Sequence, residues 1–529
     1  MPPLLVTLVL IGPAALVATA LLSITSPGLR PARVLRASRA ATVLALLLAL
    51  AAAAFTAFHG PLSSPLIGVG AVGLSVRLDA VSCSMFALVS FVGLIAVQYS
   101  RNYLDGDVQQ GVFVGGLCLA LAAVMLLVLA GNLYQLAAAW VATSLALHRL
   151  LVFYRERPAA VLAARKKFIT ARIGDACLIG ACVALAMTFG STDVGTVLAR
   201  VRTLHAGAAA HGAQAAALLI AVAALLKSAQ FPTHGWLPEV METPTPVSAL
   251  LHAGIINAGG FLVIRFADVM LLSAPSLHLL AVVGGFTALF GSVVMLTQTS
   301  VKASLAWSTV AQMGFMLLQC GFAAFSIALL HIVAHSLYKA HAFLSSGSVV
   351  DISRSASSPD LNTRPRARRV LASTVTALVL YAGIGWLFGV FNHEPAAVLA
   401  LGAILIMGLS VLIAQSTQGD AERKVVIRSV AAAGGATVAY FALQAGARWV
   451  ASSTLPPVPA PGPAGLAIMA LAVVSFAIVT MLQVLAPVRA SGSRWRAARI
   501  HLANGLYVNA CFNRLIGALR RPATATPRG

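Results

Sequence analysis

His331, His335 and Lys339 recur at intervals of four residues. On an α-helix that interval advances only about 40° around the axis, so the three side chains form one stripe. Neighbours on such a stripe stand roughly 6 Å apart. Imidazoles titrate near neutral pH, so the stripe has the composition of a proton wire. A zinc site is the rival chemistry, because histidines four apart suit zinc. No glutamate lies between them, however, and lysine is not an ordinary zinc ligand. No metal is assigned to this chain.

A second candidate is Lys227, in Leu225-Leu226-Lys227-Ser228-Ala229-Gln230-Phe231-Pro232. It puts an ammonium in an apolar helix just before a proline, which cannot donate to the helix ladder. Helices broken at membrane depth suit ion binding, because freed backbone groups and helix ends can serve as ligands. The plain alternative is a lysine snorkelling from a helix end. Pro244 and Pro246 then fit the start of a new helix, which carries His252 about two turns inside. His252 reads as a relay or as a hydrogen-bonded packing histidine. Lys302 opens the span before the stripe and reads as a pathway residue or as an edge lysine. Arg172 and Asp175, three apart, predict a charge pair facing the protein interior, and Asp79 reads as structural.

These side chains need helices to hold them, and the composition says which kind. Of 529 residues, 59% are apolar and 9% charged, with a mean hydropathy of +0.91. A soluble domain carries about 25% charged residues, so a water-soluble globule, a disordered chain and a disulfide scaffold are excluded. The six cysteines form no C-x-x-C pair, and there is no Walker motif. Leu4–Leu22 lacks a charged leader and reads as a first span. Spans of about 20 apolar residues are predicted near 4–25, 40–58, 80–99, 112–130, 132–152, 166–189, 213–231, 245–270, 277–297, 303–320, 325–350, 370–392, 396–415, 428–447 and 464–487. The fold class is thus all-α integral membrane, with about fifteen transmembrane helices. Continuous apolar runs exclude a strand barrel. The chain divides into N-terminal helices over 1–110, a core over 111–350, C-terminal helices over 351–487 and a basic amphipathic tail over 488–529.

The net charge is +22, from 36 basic and 14 acidic residues. With fifteen spans, 27 of the 36 basic residues fall on one set of loops and the tail, and four on the other set. Lys and Arg mark the cytoplasmic side, so the N-terminus is expected outside and the C-terminus in the cytoplasm. The excess is an orientation signal and a docking surface, not a nucleic-acid footprint.

Several motifs together carry a resemblance: Lys227 to Pro238 (KSAQFPTHGWLP), Pro244 to Gly254 (PTPVSALLHAG), Ser300 to Phe315 (SVKASLAWSTVAQMGF) and His331 to Lys339 (HIVAHSLYK). From about Asp79 to Asp351 the chain resembles the proton-translocating antiporter-like subunits of respiratory complex I and Mrp cation antiporters. In detail, Glu239 to Phe261 and the tail (Trp495, His501, Asn504, Gly505, Tyr507, Arg514) look like the DabB branch, membrane subunits of bacterial inorganic-carbon accumulation complexes. The resemblance implies inverted repeats with broken helices, and Lys227, His252, Lys302, His331, His335 and Lys339 on a central ion pathway for H+ or Na+. It implies a bacterial inner-membrane setting and a cytoplasmic DabA-like partner resembling zinc carbonic anhydrases. That pair would couple an ion gradient to one-way conversion of CO2 into bicarbonate. Zinc and the hydration chemistry are then the partner's, and this chain is a transport subunit with no cofactor of its own. A complex I or Mrp-type subunit and a non-conducting anchor remain the alternatives.

Two departures stand out. Gly131-Asn132-Leu133 to Trp140-Val141 matches the family's fifth-helix motif, but Val141 occupies the usual glutamate position. Lys227 then needs another acid, Asp175 or Glu242. The span 370–392 also has no lysine where complex I relatives carry one, which leaves open whether conduction is complete or directed toward the partner. The tail reads either as an interfacial amphipathic helix or as a docking helix for the partner.

Overall fold

The computed structural model describes residues 2–204, 211–347, 367–389, 395–416, 423–489 and 493–518. Most of the linker 351–369, the side chain of Glu242 and the end of the tail lie outside the described residues.

In lipid, backbone polar groups must be satisfied within the segment, and the Ala-, Leu- and Val-rich runs do so as helices. In order these are α1 (Leu4–Thr25), α2 (Ala32–His59), α3 (Ala80–Tyr103), α4 (Gln110–Val128), α5 (Leu133–Leu151), α6 (Pro158–Phe189), α7 (Val194–Arg202) and α8 (His211–Lys227). After them come the short α9 (Trp236–Glu239), α10 (Thr245–Ala253), α11 (Ala258–Arg265), α12 (Ala267–Leu271), α13 (Ala274–Met295), α14 (Val301–Gly321) and α15 (Phe325–Leu344). The C-terminal set is α16 (Ala367–Leu387), α17 (Ala396–Ser416), α18 (Arg423–Ala451), α19 (Pro463–Arg489), α20 (Ser493–Ala503) and α21 (Val508–Ala518).

By length and apolarity, 12 described helices qualify as membrane spans, fewer than the expected fifteen. The other expected spans are the helices α5, α8 and α14. They fall short for a physical reason. α8 is only 17 residues long, cut by the break after Lys227. α5 and α14 carry the polar residues that line the interior, among them Gln135, Ser144, Lys302 and Gln319. The chain is also not purely helical. Between α2 and α3, β1 (Leu62–Ser63) pairs antiparallel with β4 (Arg77–Leu78), and β2 (Ile67–Val69) with β3 (Val72–Leu74). These small hairpins occupy an expected linker, where Gly70 at φ 61° permits the tight turn.

The core gathers around α3–α5, α8–α12 and α14–α15. α13 and α14 approach closely through glycine: a Cβ on Gly314 would meet the backbone nitrogen of Ala288 at 2.5 Å. Asp79 caps α3 in a capping box with Ser82, and its carboxylate also takes Arg77 at 2.8 Å and Arg265 at 2.5 Å. Its structural role is thereby visible. Nearby, Arg202 bonds both Asp268 and the carbonyl of Thr454 at the start of the proline-rich segment.

Lys166 and Lys167, which open the expected span 166–189 and belong to the 27 basic residues of the cytoplasmic count, are buried in the first half of α6, so they report packing and not orientation.

Candidate ion-conducting site

Lys227 is the last residue of α8. Beyond it Ala229 takes φ 50°, a left-handed conformation that costs a residue with a Cβ roughly 1–2 kcal/mol, and Pro232 prevents the helix from resuming. The break leaves Lys227 buried, with Nζ 4.3 Å from the centroid of the Trp140 ring on α5. That is cation–π distance. Nζ has no hydrogen-bond acceptor among the described residues. The charged groups facing it, all on α6, are Asp175, Arg172 and Lys167. Arg172 holds Asp175 at 2.6 Å, so the expected pair forms, and Asp175 also faces Trp140. A small cavity of about 20 Å³ opens here, lined by Leu147, Lys167, Lys227, Trp236, Leu251 and Ile255 among others. It has room for about one water molecule.

The second group centres on α15. The rings of His331 and His335 lie 6.0 Å apart between centroids, the spacing the four-residue step dictates. His331 Nδ1 is 2.9 Å from Gln319 Oε1 on α14. His335 faces His331, Lys339 and His252. Lys339, fully buried, donates to the carbonyl of Leu305 at 3.0 Å. His252 on α10 pairs through Nδ1 with Thr309 Oγ1 at 2.9 Å and stacks on Phe343 at 4.3 Å.

The six expected pathway residues thus gather unevenly. His252, His335 and Lys339 form one buried group with half-buried His331 at its edge, and Lys227 sits in another with Asp175. Between them run hydrogen bonds from Ser228 Oγ to the carbonyl of Ile256 and from Asn257 Nδ2 to Ser336 Oγ at 2.7 Å. Lys302 is only half-buried and reaches Thr245 Oγ1 at 3.4 Å.

Lys167 was not singled out from the sequence, because a charge pair at a predicted span boundary reads as a loop. Its Nζ donates to the Ser144 carbonyl at 2.6 Å and lies 3.0 Å from the Ser144 hydroxyl. Trp140, Ser144 and Leu147 recur at i, i+4 and i+7 on α5, a helical stripe that could have flagged this face. Lys166 was likewise missed and pairs with Glu239 at 2.5 Å.

The tail folds back on the chain. Asn509 bonds both Lys166 and Glu239, Asn513 reaches Glu239, and Phe512 lies under Lys166. Gly235 leaves space that a side chain would take from Asn509, and Gly505 at φ 56° lies against Trp307. Of the expected docking residues, Trp495 is half-buried, while His501, Asn504, Tyr507 and Arg514 are exposed. His501 packs edge-on against Tyr507 at 5.5 Å.

Broken helices holding buried lysines and histidines define a multi-span membrane protein of antiporter type. Comparisons with known proteins agree. Residues 130–386 match the family described as NADH:quinone oxidoreductase/Mrp antiporter, and residues 67–114 match the complex I chain 5 N-terminus. The probable inorganic carbon transporter subunit DabB2 of Halothiobacillus neapolitanus is 40% identical over 451 residues, which is 85% of this chain and 81% of that protein. The probable subunit DabB of Hydrogenovibrio crunogenus is 46% identical over 282 residues, 53% of this chain and 54% of that one. The fold is similar to the structure of the Mrp complex from Dietzia sp. DQ12-45-1b, with a TM-score of 0.66 at 24% identity over 97% of this chain and 59% of that chain. The chain belongs to the DabB family of inorganic carbon transporter subunits, within the larger complex I and Mrp antiporter family.

Proposed function

We propose that this chain is the ion-conducting membrane subunit that energises hydration of CO2 to bicarbonate in a cytoplasmic, DabA-like partner. The observation that carries this reading is Lys227: a buried ammonium at a helix break, beside a cavity and without an acceptor among the described residues. A buried ammonium without a hydrogen-bond acceptor is expensive, and inside a membrane such a group is a functional site by default. The conducted ion is a proton. The two groups are built mainly from lysine and histidine nitrogens, whereas hard metal cations are held by clustered oxygens. Zinc and the carbon chemistry belong to the partner. The complex sits in the bacterial inner membrane, N-terminus outside and C-terminus in the cytoplasm, as the loop charges favour.

The test is rescue of a carbonic-anhydrase-deficient host grown in air by the two-subunit complex. Lys227→Ala and His335→Ala should abolish rescue while the complex still copurifies. Normal rescue by both variants would favour a second reading, in which the chain is a membrane anchor. Val141 in place of glutamate is the observation that supports that alternative.

A further inference from the structure

Lys167 lines the same cavity as Lys227, from the opposite helix. The charged and titratable groups facing Lys167 are Lys227 on α8, Arg172 and Asp175 on its own helix, and His148 on α5. Among the described residues, the site therefore sets three cationic side chains against a single carboxylate, Asp175, already held by Arg172 at 2.6 Å. Two ammonium groups sharing one low-dielectric cavity repel each other with little screening. The shared cavity therefore disfavours the state in which both lysines are charged.

We propose that Lys167 is the proton-exchange partner of Lys227, the two amines sharing one proton across the cavity where relatives pair lysine with glutamate. This rests on the conducting role proposed above. In the exchange, one N–H bond of the Lys227 ammonium breaks and one forms on the lone pair of the neutral Lys167 amine. The step is direct or passes through one relaying water, with no net change in charge.

The surroundings accept both states. As an ammonium, Lys167 has three donors: two engage the carbonyl and hydroxyl of Ser144, at 2.6 and 3.0 Å, and the third remains for the cavity. As an amine it keeps two N–H bonds for Ser144 and gains a lone pair for the cavity. Lys227 rests on the Trp140 ring, which attracts the charged form and tolerates the neutral one. Val141 lies three residues before Ser144 on α5, so the position that would carry an acid is next to the group that anchors the second lysine.

The experiment measures proton flux by pH-dye quenching in proteoliposomes holding the complete complex. Lys167→Gln keeps a donor to Ser144 but carries no exchangeable charge. Lys167→Arg keeps the charge but does not release a proton. Flux should fall at least tenfold in both, with copurification and thermal midpoint close to wild type. Flux retained in either variant overturns the proposal by making Lys167 a structural cation or a spectator. Failure of both variants to assemble does the same. Lys227→Gln run in parallel separates the two levels: if it conducts, the conducting role itself fails, and if it alone is dead, only the role of Lys167 does. As a compensating arm, Val141→Glu introduced into Lys167→Gln should recover flux.

Discussion

Glu239 and Lys166 join the helix break to α6: the carboxylate lies 2.5 Å from Nζ, and its other oxygen takes the side-chain amide of Asn509 on the tail helix α21. Lys166 itself also donates to Asn509 at 2.7 Å. The tail is thus fastened to the short helix α9 that follows the break after Lys227, and Asn509 packs against Gly235 within that break.

Glu239→Gln should loosen that fastening. Losing one charge of a partly buried, hydrogen-bonded cluster costs about 1–3 kcal/mol, which raises local opening of the tail by a factor between about five and somewhat over a hundred. Limited proteolysis or hydrogen exchange over 493–518 reads this directly. The double variant Glu239→Gln/Lys166→Met should cost less than the sum of the singles, because the groups share one network. Strict additivity would show that the tail is held elsewhere.

Asp79 is buried with Arg265 and is also held by Arg77. Removing one side of a buried ion pair strands the other, at about 3–5 kcal/mol. Asp79→Ala should therefore lower the thermal midpoint of the purified complex strongly. Asp79→Leu combined with Arg265→Leu should recover much of the loss. A midpoint unchanged in the single variant would remove this cluster from the stabilising core.

Thr309 orients the ring of His252 through the 2.9 Å contact to Nδ1. Thr309→Val preserves shape but removes the hydroxyl, so the ring loses its fixed orientation. Proton flux should fall several-fold with assembly intact, and Thr309→Ser should restore most of it. Equal flux in wild type and Thr309→Val would mean that the orientation of His252 is immaterial.

The helical frame was readable in the sequence because the hydrocarbon core imposes a length. Each expected span overlaps described helix, broken only over 245–270, since a continuous apolar run has no other way to satisfy its backbone. The count by length and apolarity differs at α5 and α14, where polar residues dilute the signal, and at α8, which the break after Lys227 cuts short. The His331–His335–Lys339 stripe was readable for the same local reason: a four-residue period fixes the face and the spacing. The β-hairpins of residues 62–78 were not, because their register depends on pairing between segments.

Charge position was legible only where sequence separation is short. Arg172 and Asp175, three apart on one helix, found each other as expected. Lys166 and Lys167 looked like loop charges, and only packing shows why they are buried: their partners are Glu239, Asn509 and Ser144, distant in the chain. The sequence by itself determined a basic, multi-span protein of the antiporter type, with Lys227 before a proline and histidines on one stripe. Those properties follow from helix periodicity and from the cost of unpaired backbone in lipid. Tertiary structure alone decided which charges meet. It brought a second lysine into the cavity of Lys227 and set Trp140 and Asp175 beside that ammonium, because burial makes each ionised group depend on whatever the fold places within a few ångströms.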